Sequence, residues 1–221
     1  MSALARWLGR VEYEPTWRAM QRYTELRAAD AVDEIWFLEH PPVYTLGMNA
    51  DSGHVIDPGA IPVVAIDRGG EVTYHGPGQL VVYPLLDLKR RGLGVRELVT
   101  ALETALVALA AEVGIEAAPR REAPGVYVAG AKLASVGLRI RRGCCYHGLA
   151  LNVAMDLEPF ERINPCGYAG LRVVDFKSLG VALSTESAAP RLLAHLARTL
   201  KLPDGVRLES AASAAALAEP A

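Results

Sequence analysis

Residues 125–153 read GVYVAGAKLASVGLRIRRGCCYHGLALNV. Apolar side chains fill the segment, broken at Gly130 and at Arg142-Gly143, where glycine lets the chain turn sharply. The pattern predicts three strands over 125–128, 133–140 and 146–153, joined by tight glycine-containing turns. Upstream, LVVYPLL at 80–86 has the unbroken apolar character of a central, doubly covered strand. Further back, IWFL at 35–38 runs into Glu39-His40-Pro41-Pro42, so a buried strand stops at the prolines. Short strands are expected at 43–46, 62–66 and 71–74, with a long loop rich in Gly, Asn, Asp and Pro over 47–61.

Helices fall between these groups. Trp17, Met20, Tyr23 and Leu26 recur at three-residue steps after Pro15-Thr16. Leu98, Leu102, Leu106, Leu109 and Val113 line one face of a helix over 95–113, with Gly114 as its stop. A second leucine-rich helix carries Leu192, Leu193, Leu196 and Leu200. Strands in groups with helices between them predict an α/β (α+β) domain with a mixed sheet. No repeat or linker interrupts the chain, so residues 1–209 are expected to form one domain and the Ala-rich 210–221 a loose tail.

Composition sets the outer bounds. A net charge of −2 over 221 residues gives no field that favours nucleic acid or an anionic membrane. With 51% hydrophobic and 22% charged residues the chain is a packed protein, not a disordered one. No uncharged apolar stretch approaches the ~18 residues of a membrane span, and residues 1–10 lack the apolar core of a secretory signal. Three cysteines, two of them adjacent, cannot build a disulfide framework, which points to a reducing, cytoplasmic setting.

Four strings carry candidate chemistry. RGGEVTYHGPGQ at 68–79 places polar residues among glycines just before a buried strand, as a ligand-cradling loop would; two ordinary turns would also produce it. It lacks the spacing of a phosphate loop. GAKLASVG at 130–137 holds Lys132 among small apolar residues, where its ammonium is either desolvated beside an anion or snorkels from a sheet edge. YHGLALNV at 146–153 puts His147 and Asn152 in an apolar strand with Gly148 between them, which marks either ordinary alternation or a close ligand approach. NPCG at 164–167 sets Cys166 on a turn, where a thiol is addressable. No Cys or His spacing suits a metal.

The ordered set of strings resembles the lipoyl(octanoyl) transferase family, octanoyl-[acyl-carrier-protein]:protein N-octanoyltransferases, which is related to biotin- and lipoate-protein ligases. Matching positions span roughly residues 35–180. The resemblance implies a mixed central sheet with helices packed around it. It implies Cys166 as the acyl-thioester nucleophile and Lys132 as the residue that lowers its pKa. Acyl-substrate contacts are implied at Arg68, Gly69, Gly70, Glu71, Val72, Thr73, Tyr74 and His75, at Ser135, Val136 and Gly137, and at Gly148, Leu149 and Ala150. Octanoyl-acyl carrier protein is the implied donor; lipoyl domains of 2-oxoacid dehydrogenase complexes and the glycine cleavage H protein are the implied acceptors. No cofactor or metal is implied. His75 and His147 are expected to be structural or to orient ligand, and Asn164 to orient the Cys166 turn. Two basic runs, Lys89-Arg90-Arg91 and Arg139 with Arg141 and Arg142, are solvated faces or steer an acidic partner. Two other readings stand beside the transferase: an ATP-dependent ligase on the same fold, which needs no Cys166, and a non-catalytic carrier- or lipoyl-domain-binding module.

Overall fold

The computed structural model describes residues 3–168 and 170–210, and of Cys166 the backbone alone. In chain order the elements are β1 (Ala3–Arg10), α1 (Tyr13–Leu26), β2 (Asp33–Glu39), β3 (Val43–Leu46), β4 (Val63–Ala65), β5 (Val72–His75) and β6 (Gln79–Leu85). A one-turn α2 (Leu88–Arg91), the long α3 (Val95–Glu112), β7 (Ala118–Pro119) and β8 (Gly125–Val128) follow. Then come β9 (Ala131–Arg141), β10 (Cys144–Asn152), α4 (Thr185–Thr199) and β11 (Leu208–Ser210). The strand group 125–153 is present as β8, β9 and β10, each pair antiparallel. Of the segment 210–221 only Ser210 is among the described residues, at the end of β11.

Eight strands form one sheet in the order β11-β1-β2-β6-β10-β9-β8-β7. β1 pairs parallel with both β11 and β2, and every other pairing is antiparallel, so the sheet is mixed as expected. The pleat sends alternate side chains to opposite faces. Ile35 and Phe37 of β2, and Leu80 and Val82 of β6, bury against α3 and α4. Trp36 and Leu38, with Val81 and Tyr83, bury on the other side against Tyr13, Trp17, Met20 and Tyr23 of α1. The periodic faces of the two long helices are the ones covered: Leu98, Leu102, Leu106 and Leu109 on α3, and Leu192, Leu193 and Leu196 on α4. A second sheet, β4-β3-β5, carries the 68–79 loop toward the main one. No described helix is long and apolar enough to cross a membrane.

Three strands escape local reading, β1, β7 and β11. β11 is one edge of the sheet with β1 next to it, both in parallel ladders to partners distant in sequence, and the two-residue β7 is the other edge. A basic run also has a different role from the one expected. Arg90 and Arg91 do not face an external partner; with Arg27 they converge on the fully buried Asp33 at 2.8, 2.5 and 2.7 Å. That carboxylate ties α1, β2 and α2 together, a structural role for these two arginines.

Candidate active site

Three of the four strings meet in one pocket between the two sheets; of the 164–167 string, Asn164 and Pro165 line a separate cavity. Its walls are the 68–75 loop, Lys132 and 135–137 of β9, and 147–150 of β10; Tyr13, Val81 and Tyr83 close it from α1 and β6. Every substrate-contact position read from the sequence lines it except Tyr74, whose ring packs on Tyr44 and Phe160 in a separate cluster. Strand alternation explains the exception, because Thr73 and His75 face the pocket and Tyr74 faces away.

Glycine is required where strands crowd this cavity. A Cβ on Gly148 would lie 2.0 Å from the Val82 carbonyl oxygen, so β6 and β10 approach closely only with glycine there. Gly137, its partner on β9, is less tight: a Cβ would sit 3.2 Å from Arg68 Cδ. Arg68 is buried, and its guanidinium donates to the Thr45 carbonyl and hydroxyl oxygens at 2.8 and 2.9 Å and to the Gly69 carbonyl at 3.0 Å. It thus shapes the loop as well as lining the pocket.

Lys132 is 2% exposed. Its backbone N–H donates to the Arg172 carbonyl at 2.8 Å, and its carbonyl accepts from the Val174 N–H at 3.0 Å. This two-bond bridge lays the chain just beyond Cys166 along the start of β9. The aliphatic stem passes over Gly125, and Nζ stands 5.4 Å from the Tyr127 ring centroid. Cys166 is the middle residue of a 3₁₀ turn, Pro165–Gly167, closed by the Gly167 N–H on the Asn164 carbonyl at 3.0 Å. Gly167 holds φ +73°, a conformation glycine adopts without strain. The Cys166 side chain lies outside the described residues. The other two thiols are buried in β10, and burial pushes Cys145 up to about 12, so neither is a ready nucleophile.

Beneath the pocket lies a polar layer that sequence reading only touched. His75 Nδ1 donates to Gln79 Oε1 (2.7 Å), and His40 bridges the Val11 carbonyl (2.6 Å) and the Tyr83 hydroxyl (2.8 Å). Burial lowers His75 to about 3 and His40 to about 4, so both rings are neutral at pH 7. His147 is also lowered by burial, with Asp67 opposing the shift. Asp67 accepts from Trp17 Nε1 at 2.8 Å, Gln21 Nε2 at 3.1 Å, His147 Nε2 at 2.9 Å and the Tyr146 hydroxyl. Burial alone would raise that carboxyl; the bonds from His147, Tyr146 and Gln21 instead hold it well below the usual carboxylate range. Tyr13, His40, Asp67 and Tyr83 were not singled out from sequence. A signal existed for two of them: His40 and Asp67 are polar residues at the ends of apolar strands. Arg139, from the second basic run, sits near this layer, with Nη1 2.8 Å from Met48 Sδ, while Arg141 pairs with Glu25 at 2.6 Å. Among the described residues no group of three or more His, Cys, Asp or Glu is placed to hold a metal.

Residues 12–197 match the family described as the lipoyl protein ligase A/B catalytic domain. The octanoyltransferase of Methylococcus capsulatus is 60% identical over 196 residues, covering 89% of this chain and 95% of that protein. That of Alkalilimnicola ehrlichii is 60% identical over 190 residues, covering 86% and 88%. Among solved structures, a putative lipoate protein ligase from T. acidophilum with bound lipoic acid superposes with a TM-score of 0.77 at 16% identity, over 99% of this chain and 93% of that one. Biotin protein ligase from Aquifex aeolicus gives 0.56 at 14% identity, over 91% and 70%. These last two likenesses concern the fold.

Proposed function

The chain belongs to the lipoyl protein ligase A/B catalytic domain family, and from that premise we propose how its pocket performs acyl transfer. It is an acyltransferase, an octanoyltransferase of protein lipoylation, like the relatives that match most of its length. It acts between an acyl donor and a lipoyl-domain acceptor. We assign the donor as octanoyl-acyl carrier protein, and the acceptors as lipoyl domains of 2-oxoacid dehydrogenase complexes and the glycine cleavage H protein. A reducing compartment, the cytoplasm, suits an enzyme whose nucleophile is a free thiol.

Cys166 attacks the octanoyl thioester as its thiolate. The carbonyl carbon gains a bond to Cys166 sulfur, the bond to the carrier sulfur breaks, and the departing thiolate takes a proton from Lys132. Exchange of one thioester for another is nearly isoenergetic and needs no ATP. Neutral Lys132 then takes one proton from the acceptor lysine's ammonium. The freed amine attacks the acyl-enzyme, the carbon–sulfur bond breaks, and the second amine proton leaves to solvent as the amide forms. Cys166 returns to thiolate and Lys132 to ammonium. A nearby cation can bring a thiol from ~8.5 into the range ~3.5–7.5, which gives Lys132 both tasks.

The observation that supports this reading is the backbone bridge between Lys132, a lining residue of the pocket, and residues 172–174, which follow the Cys166 turn in the chain. Incubation with octanoyl-carrier protein, without ATP, is expected to add one octanoyl mass to the intact chain, removable by hydroxylamine. An adduct that persists in Cys166→Ala, or one that requires ATP, would overturn it.

A further inference from the structure

Among the described residues that line the pocket, Arg68, Lys132 and Glu71 are the Arg, Lys, Asp or Glu side chains. Among the described lining residues Glu71 is the one carboxylate, and it sits at the mouth with its side chain 25% exposed. Its place relative to the nucleophile turn is set by contact. A Cβ built on Gly167, the residue after Cys166, would lie 3.6 and 3.7 Å from Glu71 Cγ and Cδ. The same position is 3.2 Å from His54 Cε1.

His54 belongs to the 47–61 loop, which straps the pocket wall to the nucleophile turn. The loop's backbone is tied on one side by the Met48 N–H to the Arg68 carbonyl (2.9 Å) and the Asn49 N–H to the Gly70 carbonyl (3.3 Å). On the other side the Asn164 N–H donates to the His54 carbonyl at 2.8 Å, and the Ile56 N–H to the Arg162 carbonyl at 2.9 Å. Glu71 Oε2 accepts from the Asp51 N–H and contacts His54 Nδ1, each at 3.3 Å. Its Oε1 accepts no hydrogen bond among the described residues.

The chemistry of the second half-reaction demands such a group. A lysine acceptor arrives as a cation, its free pKa being ~10.4. It must enter a cavity already lined by the Arg68 guanidinium, and like charges in a partly desolvated site repel. A carboxylate beside the acyl-bearing turn offsets that repulsion. We infer that Glu71 is the subsite for the ε-ammonium of the acceptor lysine, with the His54 ring and the Asp51 amide orienting its carboxylate so that Oε1 faces the incoming amine. The inference rests on the thioester reading above, because it concerns the nucleophile that discharges acyl-Cys166. Donor acylation brings no ammonium to the site and places no such demand on Glu71.

The test compares two nucleophiles on the octanoylated enzyme: N-acetyl-lysine methylamide, a cation at neutral pH, and hydroxylamine, which is uncharged there. The ratio of their deacylation rates is expected to fall about tenfold to a hundredfold in Glu71→Gln, the scale of one hydrogen bond to a charged group. It should fall further in Glu71→Lys and be largely retained in Glu71→Asp. Raising salt should lower the ratio in the unsubstituted enzyme, a readout that needs no variant to fold. If Glu71 merely holds the turn, both nucleophiles slow together, and an unchanged ratio in Glu71→Gln, or a ratio insensitive to salt, overturns the subsite. Failure of the unsubstituted enzyme to form the octanoyl adduct is a separate result and overturns the thioester reading instead.

Discussion

Asp67 receives a ring nitrogen of His147 at 2.9 Å, at a point of β10 where His147 holds φ +58°. A left-handed backbone at a non-glycine residue costs energy, so something must select it. Here the departure from regular strand geometry lets two consecutive side chains, Tyr146 and His147, reach the same carboxylate. The next residue, Gly148, is then presented to the pocket. The pair thereby couples the loop before Arg68 to the strand that floors the cavity.

Removing that carboxylate should loosen both. Asp67→Ala is expected to cost about 3 kcal/mol of stability, since one acceptor serves four donors and hydrogen bonds to a charged group are each worth ~1.5–3 kcal/mol without adding fully. Urea denaturation at pH 7 measures it. A loss below about 1 kcal/mol, the scale of one ordinary hydrogen bond, would mean that His147 keeps its conformation without Asp67.

Stability should also fall on mild acidification. His40 and His75 are held neutral by burial, at about 4 and about 3, while the unfolded rings titrate near ~6.5. Above the unfolded value neither state binds the proton and nothing is lost. Between there and the folded values the unfolded chain binds more protons, so stability drops as pH falls, by up to about 1.4 kcal/mol per pH unit for each ring. Asp67, with its lowered folded pKa, contributes stability above pH ~4 that is lost at lower pH still. Urea midpoints between pH 7 and 5 check the histidine part, and His40→Gln should flatten the slope.

Thiol reactivity isolates the role of Lys132. Because Cys144 and Cys145 are buried, iodoacetamide should label Cys166 in the native protein. In Lys132→Ala the midpoint of the rate-versus-pH curve is expected to rise by about one pH unit or more, within the range over which a neighbouring cation moves a thiol. An unmoved midpoint would remove Lys132 from thiolate stabilisation.

Two pocket glycines should differ in kind. Gly148→Ala drives a methyl group onto the Val82 carbonyl oxygen at 2.0 Å, where backbone must move, and should give little folded protein. Gly137→Ala meets Arg68 Cδ at 3.2 Å and the Gly69 carbonyl oxygen at 3.3 Å, contacts that a shift of a few tenths of an ångström relieves. That variant should fold, narrow the cavity, and shift preference toward acyl donors shorter than octanoyl by severalfold in kcat/KM. A Gly137→Ala enzyme with unchanged chain-length preference would place the acyl chain elsewhere.

The strands β8, β9 and β10, the two long helices and all four site strings were legible in the chain itself. Each is encoded locally, by a two- or 3.6-residue apolar period, by a glycine at a turn, or by a short run of neighbours. The family likeness rested on those same runs. β1, β7 and β11 were not legible: β1 and β11 are parallel strands whose partners lie far away in sequence, and β7 is a two-residue strand too short to carry a period. Nor were the partners of the site residues. Asp67 and His147 are 80 positions apart, His40 and Tyr83 are 43, and His54 and Glu71 are 17. Such pairs exist because sheet register and the packing of α1 bring their elements together, and burial then makes an unmet polar group too costly to leave alone. The kinds of residue at the site are thus a local property of the chain. Their charge states, their orientation and the placing of the Glu71 carboxylate at the pocket mouth arise from long-range packing, in which no short segment takes part alone.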